Sequence, residues 1–62
     1  MLSYDLYYCG EFNVTVEDTD LGGVADRWLA NFPDESFAIT HKGGVLEFRQ
    51  GSELVGRAVP SA

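Results

Sequence analysis

DTDLGGVADRWLANFP, residues 18–33, decides the fold, because its apolar period, its beginning and its end all indicate one amphipathic α-helix. Asp18, Thr19 and Asp20 offer side-chain oxygens to the free N–H groups of the first turn, and their charge suits the positive end of the helix dipole. Pro33 cannot continue the helix. Six apolar residues of this segment recur at the spacing of one helix face: Leu21, Val24, Ala25, Trp28, Leu29 and Phe32. The segment is therefore expected to bury one stripe, centred near Trp28, against the rest of the chain.

The rest of the chain has the pattern of strands and tight turns. Alternating apolar and polar residues predict two strands over residues 2–9 and 12–17, which pair as antiparallel neighbours. Further strands are predicted after the helix, at 37–41, 45–49 and 53–59, with glycine-containing turns between them. The expected order is ββαβββ over residues 1–62, a single α+β domain with one α-helix packed on an antiparallel β-sheet.

The apolar members of each alternation define the sheet face expected to meet the helix. They are Leu2, Tyr4, Leu6, Phe12, Val14, Val16, Phe37, Ile39, Leu46, Phe48 and Val55. The opposite face would present Asp5, Tyr7, Asn13, Thr15, Glu47 and Arg49. One helix covers only one face of a sheet, so the second face is expected to be wet or bound by a partner.

Length and composition set broad limits on what the chain can be. A chain of 62 residues, 45% of them hydrophobic, is expected to fold with modest stability and to lack room for a deep substrate cleft. Neither a secretory signal nor a membrane span is apparent, which predicts a soluble, cytoplasmic protein. Cys9 is the only cysteine, so an internal disulfide is excluded, and a small, half-buried strand position is expected for it.

The residue types that carry chemistry do not form a readable constellation. His41 has no nucleophile or orienting carboxylate at a useful spacing and is expected to be an exposed residue beside a turn. Asp18 and Asp20 resemble the start of a calcium loop, but glycine and leucine occupy its fifth and twelfth ligand positions. The Gly22-Gly23 pair would repel a phosphate because of the acids around it. We therefore expect no catalytic residue, no metal and no cofactor, and a protein that is not an enzyme.

Charge is distributed unevenly along the chain. Residues 1–35 carry eight acidic side chains and one arginine, a formal charge of -7, whereas residues 36–62 carry three basic and two acidic side chains, a charge of +1. Such a field repels nucleic acid and anionic membranes and favours a basic partner. Acidity can also serve solubility alone.

A short acidic α/β chain without a catalytic constellation resembles the small proteins that phages use against host defence, and specifically the acidic anti-CRISPR proteins directed at type I systems, with type I-C as the specific expectation. The resemblance lies in the whole-chain layout and in the acidic residues Glu11, Glu17, Asp18, Asp20, Asp26, Asp34 and Glu35. The resemblance implies a monomeric DNA mimic in the cytoplasm of the host cell. Its carboxylates would occupy the Lys and Arg groups of a basic DNA-binding subunit of a CRISPR complex, or of a similar nucleic-acid-binding protein. The protein itself would bind neither nucleic acid nor membrane.

A second hypothesis, of a different class, is a structural or antitoxin-like protein-interaction module. Such a module would assemble through the open sheet face, with Tyr7 and Thr15, or through an edge strand. The salt dependence of partner binding separates the two hypotheses, because charge mimicry weakens steeply with salt and an apolar sheet interface does not.

Overall fold

One sheet and one helix account for the regular structure of the protein. In a computed structural model that describes residues 1–61, the elements are β1 (Leu2–Tyr8), β2 (Glu11–Asp18), α1 (Leu21–Leu29), β3 (Ala38–Lys42), β4 (Val45–Gln50) and β5 (Glu53–Pro60). The five strands form one antiparallel sheet in the order β2-β1-β5-β4-β3, and α1 packs on one face. The α+β class, the element order ββαβββ and the pairing of the first two strands are thus confirmed.

Two of the hairpins turn on two-residue loops in the left-handed backbone region. Gly43 and Gly44 have φ values of 59° and 82°, which glycine adopts without a steric cost. Cys9 and Gly10 have φ values of 54° and 83° in the β1–β2 turn. Two successive positive φ angles are the pattern of a type I′ turn, whose twist matches that of the flanking strands.

The helix begins where the sequence indicates and ends earlier. Asp20 is the N-cap, and its Oδ1 accepts a hydrogen bond of 2.7 Å from the Gly23 N–H. The helix ends at Leu29 rather than near Pro33. In a continuing helix the Leu29 carbonyl would accept from residue 33, but proline has no N–H, and the carbonyl accepts from Phe32 at 2.8 Å instead. Phe32 therefore lies in a turn, yet it still packs against the core as the stripe predicts.

Trp28 lies at the centre of the core, as its place in the helix stripe predicts. Its ring stacks on Phe48 with centroids 4.0 Å apart and on Tyr8 with centroids 4.8 Å apart. Its Nε1 donates a hydrogen bond of 3.0 Å to the Tyr7 carbonyl of β1. Gly56 on β5 makes this approach possible, because a Cβ built there would lie 2.5 Å from Trp28 Cζ2. The fully or nearly buried apolar residues are Tyr4, Leu6, Val24, Trp28, Leu46, Phe48 and Ala58.

Three residues of the predicted inward face are exposed, and one β-bulge explains the clearest case. Leu6 of β1 pairs with Val14, but the next residue, Tyr7, pairs with Phe12, so Asn13 is an extra residue in β2. The extra residue places Phe12 on the same face as Tyr7, away from the helix, and 57% of Phe12 is exposed. Val14 and Ile39 keep the predicted face but lie on the edge strands, where each is 43% exposed.

Other sequence-based assignments need smaller corrections. Phe37 precedes β3 instead of opening it, although it packs edge-on against Trp28 with ring centroids 5.0 Å apart. Pro60 is the last residue of β5 and pairs with Tyr4, whereas the sequence predicts that this strand ends at Val59. Tyr8 and Ala58, absent from the predicted core, contribute to it. The core thus extends further along β1 and β5 than the alternation indicates.

Cys9 is an exposed turn residue, and its expected place in a half-buried strand is wrong. Its N–H donates a hydrogen bond of 2.8 Å to the Val55 carbonyl, which joins the β1–β2 turn to β5. It is the only non-glycine residue with positive φ among residues 1–61. A side chain with a Cβ atom costs free energy in this backbone region.

Replacing Cys9 with asparagine is expected to stabilise the fold. Asparagine tolerates the left-handed region and keeps the backbone N–H, so the gain should be about 0.5 to 1 kcal/mol, or about 2 to 8 °C in the thermal midpoint. Circular dichroism melts of Cys9→Asn and of the control Cys9→Ser measure it. The serine variant should match the parent in stability and activity. An asparagine variant that melts at or below the parent temperature would contradict the turn geometry.

Candidate interaction surface

The seven acidic residues proposed to bind a partner lie on β2, at the N-cap of α1, on α1 and in the turn after α1. Glu11 begins β2 and pairs with Tyr8, while Asp18 ends β2 and pairs with Leu2. We therefore call the end of the sheet near Glu11 the Tyr8 end, and the end near Asp18 the Leu2 end. The seven positions are Glu11, Glu17, Asp18, Asp20, Asp26, Asp34 and Glu35, and all are exposed except Asp18, which is half-buried. The structure spreads these acids over both ends instead of gathering them in one cluster.

At the Leu2 end, two of the acids are engaged in holding the fold. Asp18 Oδ2 forms an ion pair of 3.1 Å with Arg27 Nε, and its Oδ1 accepts from the Thr19 N–H at 2.7 Å. These contacts, led by the hydrogen bond from Arg27, lower the pKa of Asp18 below its ordinary value. The stabilisation is therefore present at neutral pH and is lost only as the pH falls through that lowered pKa. Asp20, the N-cap, is likewise bound to the first turn of the helix.

Gly23 makes room for the carboxylate of Asp18. A Cβ built at Gly23 would lie 2.3 Å from Asp18 Oδ1, whereas one at Gly22 would meet only Asp20 Oδ1 at 3.4 Å. The expectation that this glycine pair permits close approach of the first helical turn to the sheet is thus met by Gly23 alone. The space beside Gly23 is thus filled by an acid of the protein itself.

At the Tyr8 end, hydrogen bonds fix the chain that follows the helix. The Tyr8 hydroxyl donates to the Trp28 carbonyl at 3.0 Å and accepts from Asn31 Nδ2 at 2.7 Å. Burial raises the pKa of Tyr8, and the Asn31 hydrogen bond opposes that shift in part. Glu35 Oε1 accepts a hydrogen bond of 2.6 Å from Gln50 Nε2 at the end of β4. Glu35 is thus held in place, in the same turn segment as Asp34.

The segment from β2 to the turn after α1 carries most of the acidic side chains of the chain. Residues 11–35 contain seven acids and one arginine, Arg27, a formal charge of -6 that equals the net charge of the whole chain. Cross-strand pairing places Glu11 beside Tyr8, on the sheet face that meets the helix, and Glu17 beside Ser3, on the open face. The acids on the helix side of the molecule are Asp26 of α1 and, in the turn after it, Asp34 and Glu35.

Charge changes sign from one edge of the sheet to the other. The β2 edge carries three acids, and β1 carries Asp5. Acids and arginines are balanced on β5 and β4. The β3 edge carries Lys42 and, beside it, His41, which is exposed as predicted. The strand order thus turns the uneven charge of the sequence into a gradient across the molecule.

At the β2 edge, the sheet face away from the helix is more apolar than the sequence predicts. Tyr7 packs edge-on against Phe12 with ring centroids 5.9 Å apart, and the Arg57 guanidinium lies 5.7 Å from the centre of the Tyr7 ring. Cross-strand pairing continues this row from Arg57 to Glu47. The sequence does not predict that Phe12 and Arg57 lie on this face. The bulge reverses the alternation at Phe12, and no signal in the sequence identifies Arg57.

Two of the acids on this open face, Asp5 and Glu47, are engaged by neighbours, while Glu17, which pairs with Ser3, lies on the same face. Asp5 Oδ1 accepts a hydrogen bond of 2.6 Å from Thr15 Oγ1. Glu47 Oε1 pairs with Arg49 at 3.0 Å. Asp5, Tyr7, Thr15, Glu47 and Arg49 all lie on the predicted face. The open face consequently offers aromatic and paired polar groups more than free negative charge.

Residues 1–61 contain no pocket and no group of three His, Cys, Asp or Glu side chains placed to hold a metal ion. Their single helix, with nine residues, falls short of the length needed to cross a membrane. Comparison of the chain with protein-family models, curated proteins and solved structures finds no match.

Proposed function

We propose that this protein is an acidic inhibitor of the phage type, an anti-CRISPR protein that binds a basic DNA-binding subunit of a host defence complex and blocks target DNA binding. Type I CRISPR complexes are the expected target, with type I-C first among them. The observation that carries the proposal is the charge of residues 11–35, which contain seven acids and one arginine, with Asp26 and Asp34 exposed on the helix side. The resemblance of the whole chain to small acidic anti-CRISPR proteins supports it.

The physical basis of the inhibition is competition for unpaired basic groups. A groove that binds DNA carries Lys and Arg side chains surrounded by counterions, and those ions are released when phosphates or carboxylates replace them. Carboxylates on a folded domain are held in place before binding, so little conformational entropy is lost. A small rigid domain can therefore compete with DNA without resembling it in any respect other than charge.

The helix side favours such competition more strongly than the open sheet face does. Asp26 and Asp34 are exposed, and neither has a side-chain hydrogen bond or ion pair within residues 1–61. Glu35 is held by a neutral amide, so its charge is not compensated. On the open face, by contrast, Glu47 is already paired with an arginine. The partner is therefore expected to contact the helix side.

A neutral triple variant tests this surface. Replacing Asp26, Asp34 and Glu35 with Asn, Asn and Gln halves the formal net charge of -6 and leaves the cap at Asp20 intact. The variant should stay folded, lose most inhibition of DNA binding by the target complex, and show a shallower dependence of affinity on salt. Competition binding with labelled target DNA at several salt concentrations measures both effects.

The matched control removes the same charge from elsewhere on the molecule. Asp5, Glu47 and Glu53 lie on β1, β4 and β5, and replacing them with Asn, Gln and Gln also halves the net charge. This control should inhibit nearly as well as the parent at physiological salt. The opposite ranking of the two triple variants would identify the sheet face as the interface and refute the choice of the helix side.

The exposed aromatic pair on the open face favours a second candidate function. Phe12 and Tyr7 form an apolar patch beside a free strand edge, which is how interaction modules and antitoxin-like subunits assemble with partners. Binding through this patch would depend little on salt. A Phe12→Ser variant that loses partner binding, while the neutral triple variant keeps it, would favour this function over charge mimicry.

A further inference from the structure

The outer edge of β2 is the longer of the two free edges of the sheet. The strand order leaves β2 and β3 unpaired on one side, and β2 spans eight residues where β3 spans five. Residues 11–15 of β2 are all exposed, so the helix does not cover this part of the edge. Such an edge presents backbone N–H and C=O groups that can pair with another strand.

Most devices that prevent strand addition are missing from β2. Proteins commonly protect an edge with lysine, proline or a bulge. The sequence of β2, EFNVTVED, contains neither lysine nor proline, and its bulge lies at Asn13 near one end. From Val14 to Asp18 the register with β1 is uninterrupted. Apolar side chains protrude beside the edge on both faces, Phe12 on the open face and Val14 on the helix face.

Charge disfavours a second copy of β2 as the occupant of this edge. The strand carries Glu11, Glu17 and Asp18 and no basic residue, so an antiparallel pair of β2 strands would bring six acids together with no cation between them. Like charges in paired strands destabilise the pair. A strand that carries lysine or arginine would meet the same acids with favourable charge.

We propose that β2 accepts an extended basic segment of the partner as an additional antiparallel strand, held by backbone hydrogen bonds along residues 11–18 and by ionic contacts with Glu11 and Glu17. Phe12 and Val14 contact the apolar side chains of the added strand, one on each face of the sheet. This inference rests on the proposed function, because the segment belongs to the same basic partner. It adds a recognition mode that charge mimicry alone does not require.

The test uses a synthetic octapeptide with blocked ends in which pairs of valines alternate with pairs of lysines, so that each face of the added strand carries both residue types. The peptide is added to the isolated protein. Titration followed by backbone NMR should shift the amide signals of residues 11–18, and hydrogen exchange of those amides should slow in the complex. The same peptide with every backbone amide methylated keeps its charge and cannot pair as a strand. It should bind at least about tenfold more weakly, a loss of about 1.4 kcal/mol.

Two charge-matched variants locate the ionic contribution. Glu11→Gln with Glu17→Gln should weaken binding of the octapeptide by about threefold or more, since each exposed ion pair contributes little. Asp26→Asn with Asp34→Asn removes the same charge from the helix side and should change this affinity by less than about twofold. Because the assay contains no DNA-binding target, its result is independent of whether the protein inhibits DNA binding.

Several outcomes would overturn the proposal. Equal affinity for the methylated and unmethylated peptides would mean that charge alone attracts the peptide. Signal changes confined to residues 38–42 would assign strand addition to the β3 edge. Self-association of the protein that protects both residues 11–18 and residues 38–42 from exchange would identify a second copy, joined β2 to β3, as the occupant.

Discussion

Replacement of Trp28 with alanine is expected to unfold most of the protein at ambient temperature. The ring of Trp28 is fully buried, stacks between Phe48 and Tyr8, and donates a hydrogen bond to the Tyr7 carbonyl. Truncation of a buried tryptophan costs about 3 to 5 kcal/mol. A domain of this length has about 3 to 9 kcal/mol of unfolding free energy in total. The loss therefore approaches the whole stability of the fold.

Urea denaturation followed by far-ultraviolet circular dichroism measures this effect. Trp28→Phe is the informative companion, because it preserves an aromatic ring for stacking while removing the Nε1 donor. It should retain a cooperative transition at a lower urea midpoint. Leu54→Ala serves as a control, since Leu54 is 40% exposed and its truncation should cost about 1 kcal/mol or less. A Trp28→Ala variant as stable as the parent would contradict the burial of the Trp28 face of the helix against the sheet.

Adding one methyl group at Gly56 is expected to be almost as damaging. A Cβ there would lie 2.3 Å from the Tyr7 carbonyl oxygen and 2.5 Å from Trp28 Cζ2. Since the first neighbour is backbone of β1, which pairs with β5, and the second is the core tryptophan, neither can move without breaking strand pairing or ring stacking. Overpacking of this kind costs about 1 to 3 kcal/mol and at times more. We expect Gly56→Ala to lie at the upper end of that range.

Gly22→Ala is the matched control, because it adds the same methyl group at a site with space. Its Cβ would meet only the Asp20 carboxylate at 3.4 Å, and alanine has a higher helix propensity than glycine by about 1 kcal/mol. Gly22→Ala should therefore raise the thermal midpoint while Gly56→Ala lowers it. The same sign of change for both variants would contradict the close packing of the helix on β5.

The helix and the number of strands could be predicted from the sequence because their signals are local. The stripe from Leu21 to Phe32 and the cap at Asp20 need only neighbouring residues to be recognised. The face of Phe12 could not be predicted, since a bulge at Asn13 reverses the alternation and leaves no mark in the composition. Tertiary packing alone reveals that Ala58 and Gly56, both small, lie in the core.

The candidate surface could be predicted in composition but not in arrangement. Sequence identifies which residues are acidic, and the structure adds that Asp18 is paired with Arg27 and that Asp20 caps the helix. Both depend on contacts made when β2 meets α1. Acids such as Asp26 and Asp34, which have no cationic partner within residues 1–61, look the same in the sequence as the engaged ones. Their difference comes from where the backbone places the single arginine of the first 35 residues.

The pairing of β1 with β5 has a consequence for how the chain folds. Leu6 lies beside Ala58, so the central strand, β5, and its inner neighbour, β1, come from opposite ends of the chain. Joining them closes a loop of some fifty residues, at an entropic cost of about 3 to 4 kcal/mol. Local hairpins can form in microseconds, but this junction makes the mean contact distance along the chain long. We therefore expect folding in milliseconds or slower, with the β1–β5 junction as the step that makes it cooperative.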